Sequence, residues 1–235
     1  MPPDPRLVAE INGLAYPSIY ATLCGDTLYG IPSSELDLRG CHVIPAREAV
    51  GLRPPPDSIA GTVHRDCLDF EYCSHEFKKL CQMLLKKNGC VAEQVLSPHV
   101  VQTSEAHAEL CEIVPLCYSR HMAHHFQSQA RLHWQVANGR ARGLLYAFRV
   151  LLSGIHLMRA HELVSDLPGL RERFDLPWLD DLLAAPEADA SVYGPRHEKL
   201  TLELVEAAQA SALPAAATEE GRARLDDLLV RLRMR

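Results

Sequence analysis

The apolar residues of this chain change their spacing near residue 104, and that change limits the fold more than any other feature. Before it, short apolar runs are bounded by glycine and proline; after it, apolar residues recur at helical spacing almost to residue 233. Residues 18–24 read as a strand ending at Gly25, and residues 36–44 as a second strand broken at Gly40. Residues 52–58 read as a loop, because Pro54, Pro55 and Pro56 cannot donate ladder hydrogen bonds. Residues 67–73 alternate apolar side chains with Asp69 and Glu71, a third strand. Ser74 is placed to cap a following helix whose apolar face holds Phe77, Leu80, Cys81, Leu84 and Leu85, and Asn88-Gly89 is placed to end it. The spacing then predicts helices over roughly 104–114, 116–138, 141–164, 196–212 and 218–233, with Pro168, Pro177, Pro186 and Pro195 dividing the stretch between the third and fourth. Strands followed by helices describe an α+β chain, with one domain over 1–103 and a helical C-terminal domain over 104–235.

Charge and cysteine usage narrow the function. A net charge of −6 excludes a protein held to nucleic acid by bulk positive charge, although a local basic groove remains compatible with it. No run of about 18 apolar residues exists to span a bilayer, and the proline-rich start lacks the basic-then-apolar order of a secretion signal. The expectation is a cytoplasmic protein with no membrane partner. All 8 cysteines lie at or before position 117 with no Cys-x-x-Cys pair, which suits reduced, mostly buried thiols.

The segment from Cys24 to Gly40 carries the chemistry. A strand runs into a glycine turn, and after a short gap Glu35 and Asp37 follow, two apart on the next predicted strand and so on one face. Side-by-side carboxylates repel unless a cation lies between them, and oxygen ligands of this kind suit Mg²⁺ or Mn²⁺ shared with substrate phosphates. Gly25 lets backbone approach a ligand closely. A third carboxylate on a neighbouring strand would complete a two-metal site. Asp69 and Glu71 share a face there, and spacing alone does not choose between them.

These residues resemble the glycine-turn and carboxylate-x-carboxylate signature of the DNA polymerase β nucleotidyltransferase superfamily. Leu28-Tyr29-Gly30 and Glu35-Leu36-Asp37-Leu38-Arg39-Gly40 are similar, more narrowly, to the RNA-repair-associated RlaP family. The resemblance continues through residues 74–80, 88–98, 120–125 and 145–152. It implies a polymerase β-type nucleotidyltransferase domain, a small mixed sheet with helices, followed by a helical bundle. It implies metal-dependent transfer of a nucleoside monophosphate from an NTP, ATP among them, to an acceptor hydroxyl or phosphate, with an RNA end in repair as a candidate. By the same resemblance Glu35, Asp37 and Glu71 are the catalytic metal ligands, with Asp69 the competitor for the third place. Gly25, Asp26, Thr27, Tyr29, Gly30, Arg39, Lys79, His121, His125, Tyr146 and Arg149 are candidates for contact with nucleotide. Three departures stand out: Asp26 where the superfamily has Ser, and Glu35 and Glu71 where the family has Asp. Longer carboxylates change the reach to a metal whose geometry is strict.

The same residues have plainer readings. Lys79 and its neighbours suit a solvated helix face. His121 and His125 stand at i, i+4 and could ligate zinc, but no Glu lies between them in the His-Glu-x-x-His manner and no third ligand is evident. His64, Cys67, Cys73 and His75 can be drawn as a zinc set only by sharing a strand face with the acids. Arg149 sits on the most apolar helix and needs a partner, either a nucleotide phosphate or a structural carboxylate. A catalytically impaired nucleotide- or RNA-binding relative, and a toxin–antitoxin-like interaction protein, are the competing functions.

Overall fold

A computed structural model describes residues 4–53, 55–65, 68–138, 140–185 and 187–234. Cys67, and with it the drawn zinc set, lies outside the described residues. The chain runs α1 (Pro5–Asn12), β1 (Ser18–Cys24), α2 (Gly25–Tyr29), β2 (Leu36–His42), α3 (Ala46–Ala49), β3 (Ser58–Arg65), β4 (Leu68–Glu76), α4 (Phe77–Leu85), α5 (Gly89–Val95), β5 (Val100–Gln102) and α6 (Glu105–Ile113). A 3-10 turn (Val114–Cys117) leads to α7 (Met122–Val136), α8 (Ala141–Ala160), α9 (Leu167–Arg173), α10 (Trp178–Ala184), α11 (Ala190–Ala210) and α12 (Glu219–Arg233). The chain divides into two compact units: residues 1–28, 32–117 and 217–235 in the first, and 29–31 with 118–216 in the second.

The first unit is built on a five-stranded mixed sheet in the order β3-β4-β2-β1-β5. β2 and β4 run parallel, and the other neighbours run antiparallel. On one face Leu7 and Ile11 of α1 pack with Ala21, Leu38 and Phe70. Side chains of the opposite parity meet α5 and α6. Thr22 Oγ1 donates to the Gln94 carbonyl (2.8 Å), and the Tyr20 ring stacks on His107 at 4.6 Å.

Several local expectations change. Ser74 is not a helix cap. It lies within β4 with its hydroxyl 2.9 Å from His42 Nδ1, and Glu76 caps α4 instead, accepting from the N–H of Lys78 at 2.8 Å. Asn88-Gly89 does not end α4. Lys87 takes the left-handed conformation (φ 72°), and Asn88 opens α5 by accepting from the Val91 N–H. The loop around Asp57 is shorter than expected, since β3 follows at Ser58 and pairs with β4. The helix expected from 196 begins at 190. Pro195 lies inside its second turn, where it gives up one backbone hydrogen bond and crowds the carbonyl four residues back, and Asp189 caps the start of the helix by accepting from the Ser191 N–H.

By their contacts α6, the 3-10 turn and α12 group with the sheet. The cause is chemical. Leu225 and Leu228 of α12 are buried, and its arginines reach acids of the sheet unit: Arg231 to Glu109 (2.6 Å), Arg224 to Glu112 (3.2 Å) and Arg233 to Glu76 (2.5 Å).

The second unit centres on α8, which is apolar on nearly every side and buried along most of its length. Trp134, Phe148, Trp178 and His197 interlock around it, with Trp134 on His197 at 4.3 Å and Phe148 on Trp178 at 4.7 Å. Among the described residues no helix is long and apolar enough to cross a membrane, and no cysteine is in a disulfide.

Glu76 is 5% exposed and serves both a helix end and Arg233. Arg233→Ala therefore strands a buried carboxylate, and we expect a loss of about 2 kcal/mol. A urea titration should show a lower midpoint with an unchanged slope.

Candidate active site

The site grows from three adjacent segments. β1 delivers the chain to Gly25, whose φ of 54° opens α2. A Cβ there would lie 3.2 Å from Asp37 Cβ and 3.3 Å from Asp37 Oδ2, so glycine is what allows the turn to rest against the aspartate. Asp26 follows, 4% exposed. Cys24 of β1 pairs with Asp37 of β2, and Asp37 pairs in turn with Glu71 of β4. Paired positions on neighbouring strands project from the same face. Asp37 and Glu71 thus share a face, while Leu36, Leu38 and Phe70 alternate to the core under α1.

This crowding sets the electrostatics. Burial pushes the Asp37 carboxyl above the ordinary aspartate range, and the charges of Glu71 and Asp26 push it further. Arg39, two residues along the strand, opposes them: its Nε lies 2.8 Å from Asp37 Oδ1. The pair raises the proton affinity of Arg39 in turn, against the effect of its own burial.

The two candidates for the third carboxylate separate here. Asp69 is exposed and meets His64 across β3 and β4, Oδ1 to Nδ1 at 2.9 Å. Glu71 stands opposite Asp37. The β2 ladder begins at Leu36, so the strand alternation used to align Glu35 with Asp37 does not extend to Glu35, an exposed residue whose N–H donates to Ser33 Oγ. Among the described residues, no three His, Cys, Asp or Glu side chains stand together in a pose that holds a metal ion. The donor chemistry nevertheless fits a hard divalent cation: half-buried Asp37 is crowded by the charges of exposed Glu71 and buried Asp26 and opposed by one guanidinium.

The remaining candidates fall in different places. Thr27 lies in α2, half-buried. Lys79 Nζ donates to Asp57 Oδ1 (3.0 Å) and Ser58 Oγ (2.9 Å) at the start of β3. In the second unit Arg149 is 1% exposed, its guanidinium 3.7 Å above the Tyr29 ring and donating to the Ser165 carbonyl at 3.3 Å. An aromatic face and a carbonyl are thus among the groups that meet this buried charge. Tyr146 meets Tyr29 edge-on at 5.4 Å, and His133 lies 5.1 Å beyond. Burial and the Arg149 charge hold His133 below the ordinary histidine range. Gly30, at φ 68°, brings its Cα against Pro168, where a Cβ would lie 2.7 Å from Cδ. His121 precedes α7 with its ring 5.8 Å from that of His124, and His125 lies beside Phe126, its proton affinity lowered by burial.

Residues 8–231 match the family described as "RNA repair pathway DNA polymerase beta family" (RlaP). The chain belongs to that family. With its mixed sheet it has the α+β architecture of a polymerase β-type nucleotidyltransferase. A solved nucleotidyltransferase-like protein from Exiguobacterium sibiricum 255-15 aligns over 98% of this chain and 79% of its own, at 12% identity and a TM-score of 0.35. No curated protein matches the chain.

In this RlaP-family chain Asp37 costs stability. The folded protein holds the Asp37 proton more tightly than the unfolded chain does. Below the ordinary aspartate range both states are neutral. As pH rises through that range and then through the raised folded value, the unfolded chain ionises first and stability falls. Asp37→Asn should therefore melt at or above the wild-type temperature at pH 7, with a difference that shrinks towards pH 3. Thermal melts at the two pH values check it.

Proposed function

We propose that this chain is a divalent-metal-dependent nucleotidyltransferase that moves a nucleoside monophosphate from an NTP to an acceptor hydroxyl, with an RNA end as the acceptor. The observation that carries this reading is the register that sets Asp37 beside Glu71, next to the Gly25 turn, in a chain of this family. Asp37 and Glu71 would hold Mg²⁺ or Mn²⁺, with buried Asp26 adding negative charge from the turn and Glu35 reaching in from the loop before β2. When bound, the cation lowers the pKa of the attacking hydroxyl and neutralises charge on the triphosphate. The chain's own contribution is placement. Gly25 keeps side-chain bulk away from the turn, so backbone N–H groups can meet phosphate oxygens. Arg39 holds a positive charge beside Asp37, where it would also face the phosphates of a nucleotide bound at the Gly25 turn. The acceptor hydroxyl gives up its proton to solvent as its oxygen bonds to the α-phosphorus, and the bond from that phosphorus to the oxygen bridging to the β-phosphate breaks, releasing pyrophosphate.

A second reading is favoured by one observation. Arg39 already pairs with Asp37, in a site whose Asp26, Glu35 and Glu71 depart from the pattern that the family resemblance implies, as expected of a chain that binds nucleotide or RNA without transfer.

Labelled NTPs, Mg²⁺ or Mn²⁺ and short RNAs separate the two. Active wild type should transfer label, and Asp37→Ala or Glu71→Gln should lose it by about two orders of magnitude, the scale of deleting one electrostatic contributor to a transition state. NTP binding without transfer, under either metal, selects the second reading.

A further inference from the structure

In the second unit, among residues that the metal assignment does not use, the start of α7 and the end of α11 flank a solvent-open cavity of about 430 Å³. Its polar lining is Arg120, His121, His124, Gln127 and Gln209, with no Asp or Glu among the lining residues, in a chain whose net charge is −6. Its apolar wall is Ala123 with Leu204, Val205 and Ala208. Arg120 is exposed, and its side chain makes no ion pair among the described residues. The rings of His121 and His124 lie 5.8 Å apart and tilted by 32° at the rim.

This composition selects a ligand. An apolar molecule would not use a guanidinium and two amides, and a lone phosphate would not use the apolar wall. A nucleotide unit uses all of them. Its base has flat apolar faces for aliphatic and imidazole surfaces and polar edges for amides, and its phosphate suits an arginine. The volume lies within the range of small-molecule sites. We propose that this cavity is a nucleotide subsite taking one unit of a single-stranded RNA, the acceptor class named above. The assignment rests on the transferase reading for its biological role, and on the cavity alone for its chemistry.

The test uses the full chain and fluorescence anisotropy with a labelled eight-nucleotide single-stranded RNA, with free AMP in a parallel titration. Ala208→Trp takes up part of the space against the apolar wall, and Arg120→Gln removes the guanidinium. Both positions reach solvent, and thermal melts confirm folding. Ala208→Trp should weaken RNA binding about tenfold or more, the scale of one lost base stack. Arg120→Gln should weaken it severalfold and lower the salt slope by about one. If Ala208→Trp fails to fold, Arg120→Gln with Gln127→Ala decides the matter. AMP binding with the same sensitivity, and no tighter binding of RNA, supports the nucleotide chemistry but assigns the subsite to a free nucleotide. Binding of neither probe, or RNA binding indifferent to these substitutions, overturns the proposal. Asp37→Ala keeps the two readings apart. Transfer absent from wild type while RNA binding still falls in Ala208→Trp sinks the transferase reading alone. Transfer present with RNA binding unaffected by the cavity variants sinks the subsite alone.

Discussion

Parallel pairing of β2 with β4 places Asp37 and Glu71 at adjacent positions on one face of the sheet, and the rest of the site follows from that crowding. Two carboxylates at neighbouring strand positions destabilise a sheet unless a positive charge joins them. The β1 turn adds buried Asp26 to the same neighbourhood, and at position 25, where φ is positive, a side chain would crowd Asp37. The protein answers with a single guanidinium, Arg39, whose contact does not bring the Asp37 carboxyl back to its ordinary range. A sheet optimised for stability would place an amide or an apolar side chain at Asp37. Retention of a destabilising acid at this position is what a cation-binding role would require.

The two units solve their charge problems differently. In the sheet unit, acids that would be costly to bury are met by arginines from α12, so the last helix of the chain belongs to the first unit. In the helical unit, Arg149 is almost fully buried, and Tyr29 lies under its guanidinium. The Leu28-Tyr29-Gly30 run is therefore a point of division. Leu28 is buried in the sheet unit, while Tyr29 and Gly30 pack against Arg149 and Pro168. The motif has a structural reason independent of any nucleotide.

Much of this was legible in the sequence where the signal is local. The strand at 18–24, the glycine after it, the last helix near 218–233 and the apolar α8 follow from periodicity and capping chemistry. What depended on a distant partner was not. Ser74 has the composition of a cap, but its hydroxyl is taken by His42 from a neighbouring strand. Asp69 and Glu71 are equivalent by alternation, and only pairing with β2 and with His64 distinguishes them. Nothing local shows that Arg39 folds back on Asp37, that Arg149 meets an aromatic face, or that α12 returns to α6. The membership in a nucleotidyltransferase family was readable because its motifs are short and ordered along the chain.

The most direct test of the account is Mn²⁺ binding to the full chain, followed by electron paramagnetic resonance with a non-hydrolysable NTP analogue present, in wild type and in Glu71→Gln. The account predicts a bound ion in wild type that is weakened about tenfold or more when the carboxylate opposite Asp37 becomes an amide. Equal binding by both proteins, or no binding by wild type, would contradict the claim that the β2–β4 register builds a cation site.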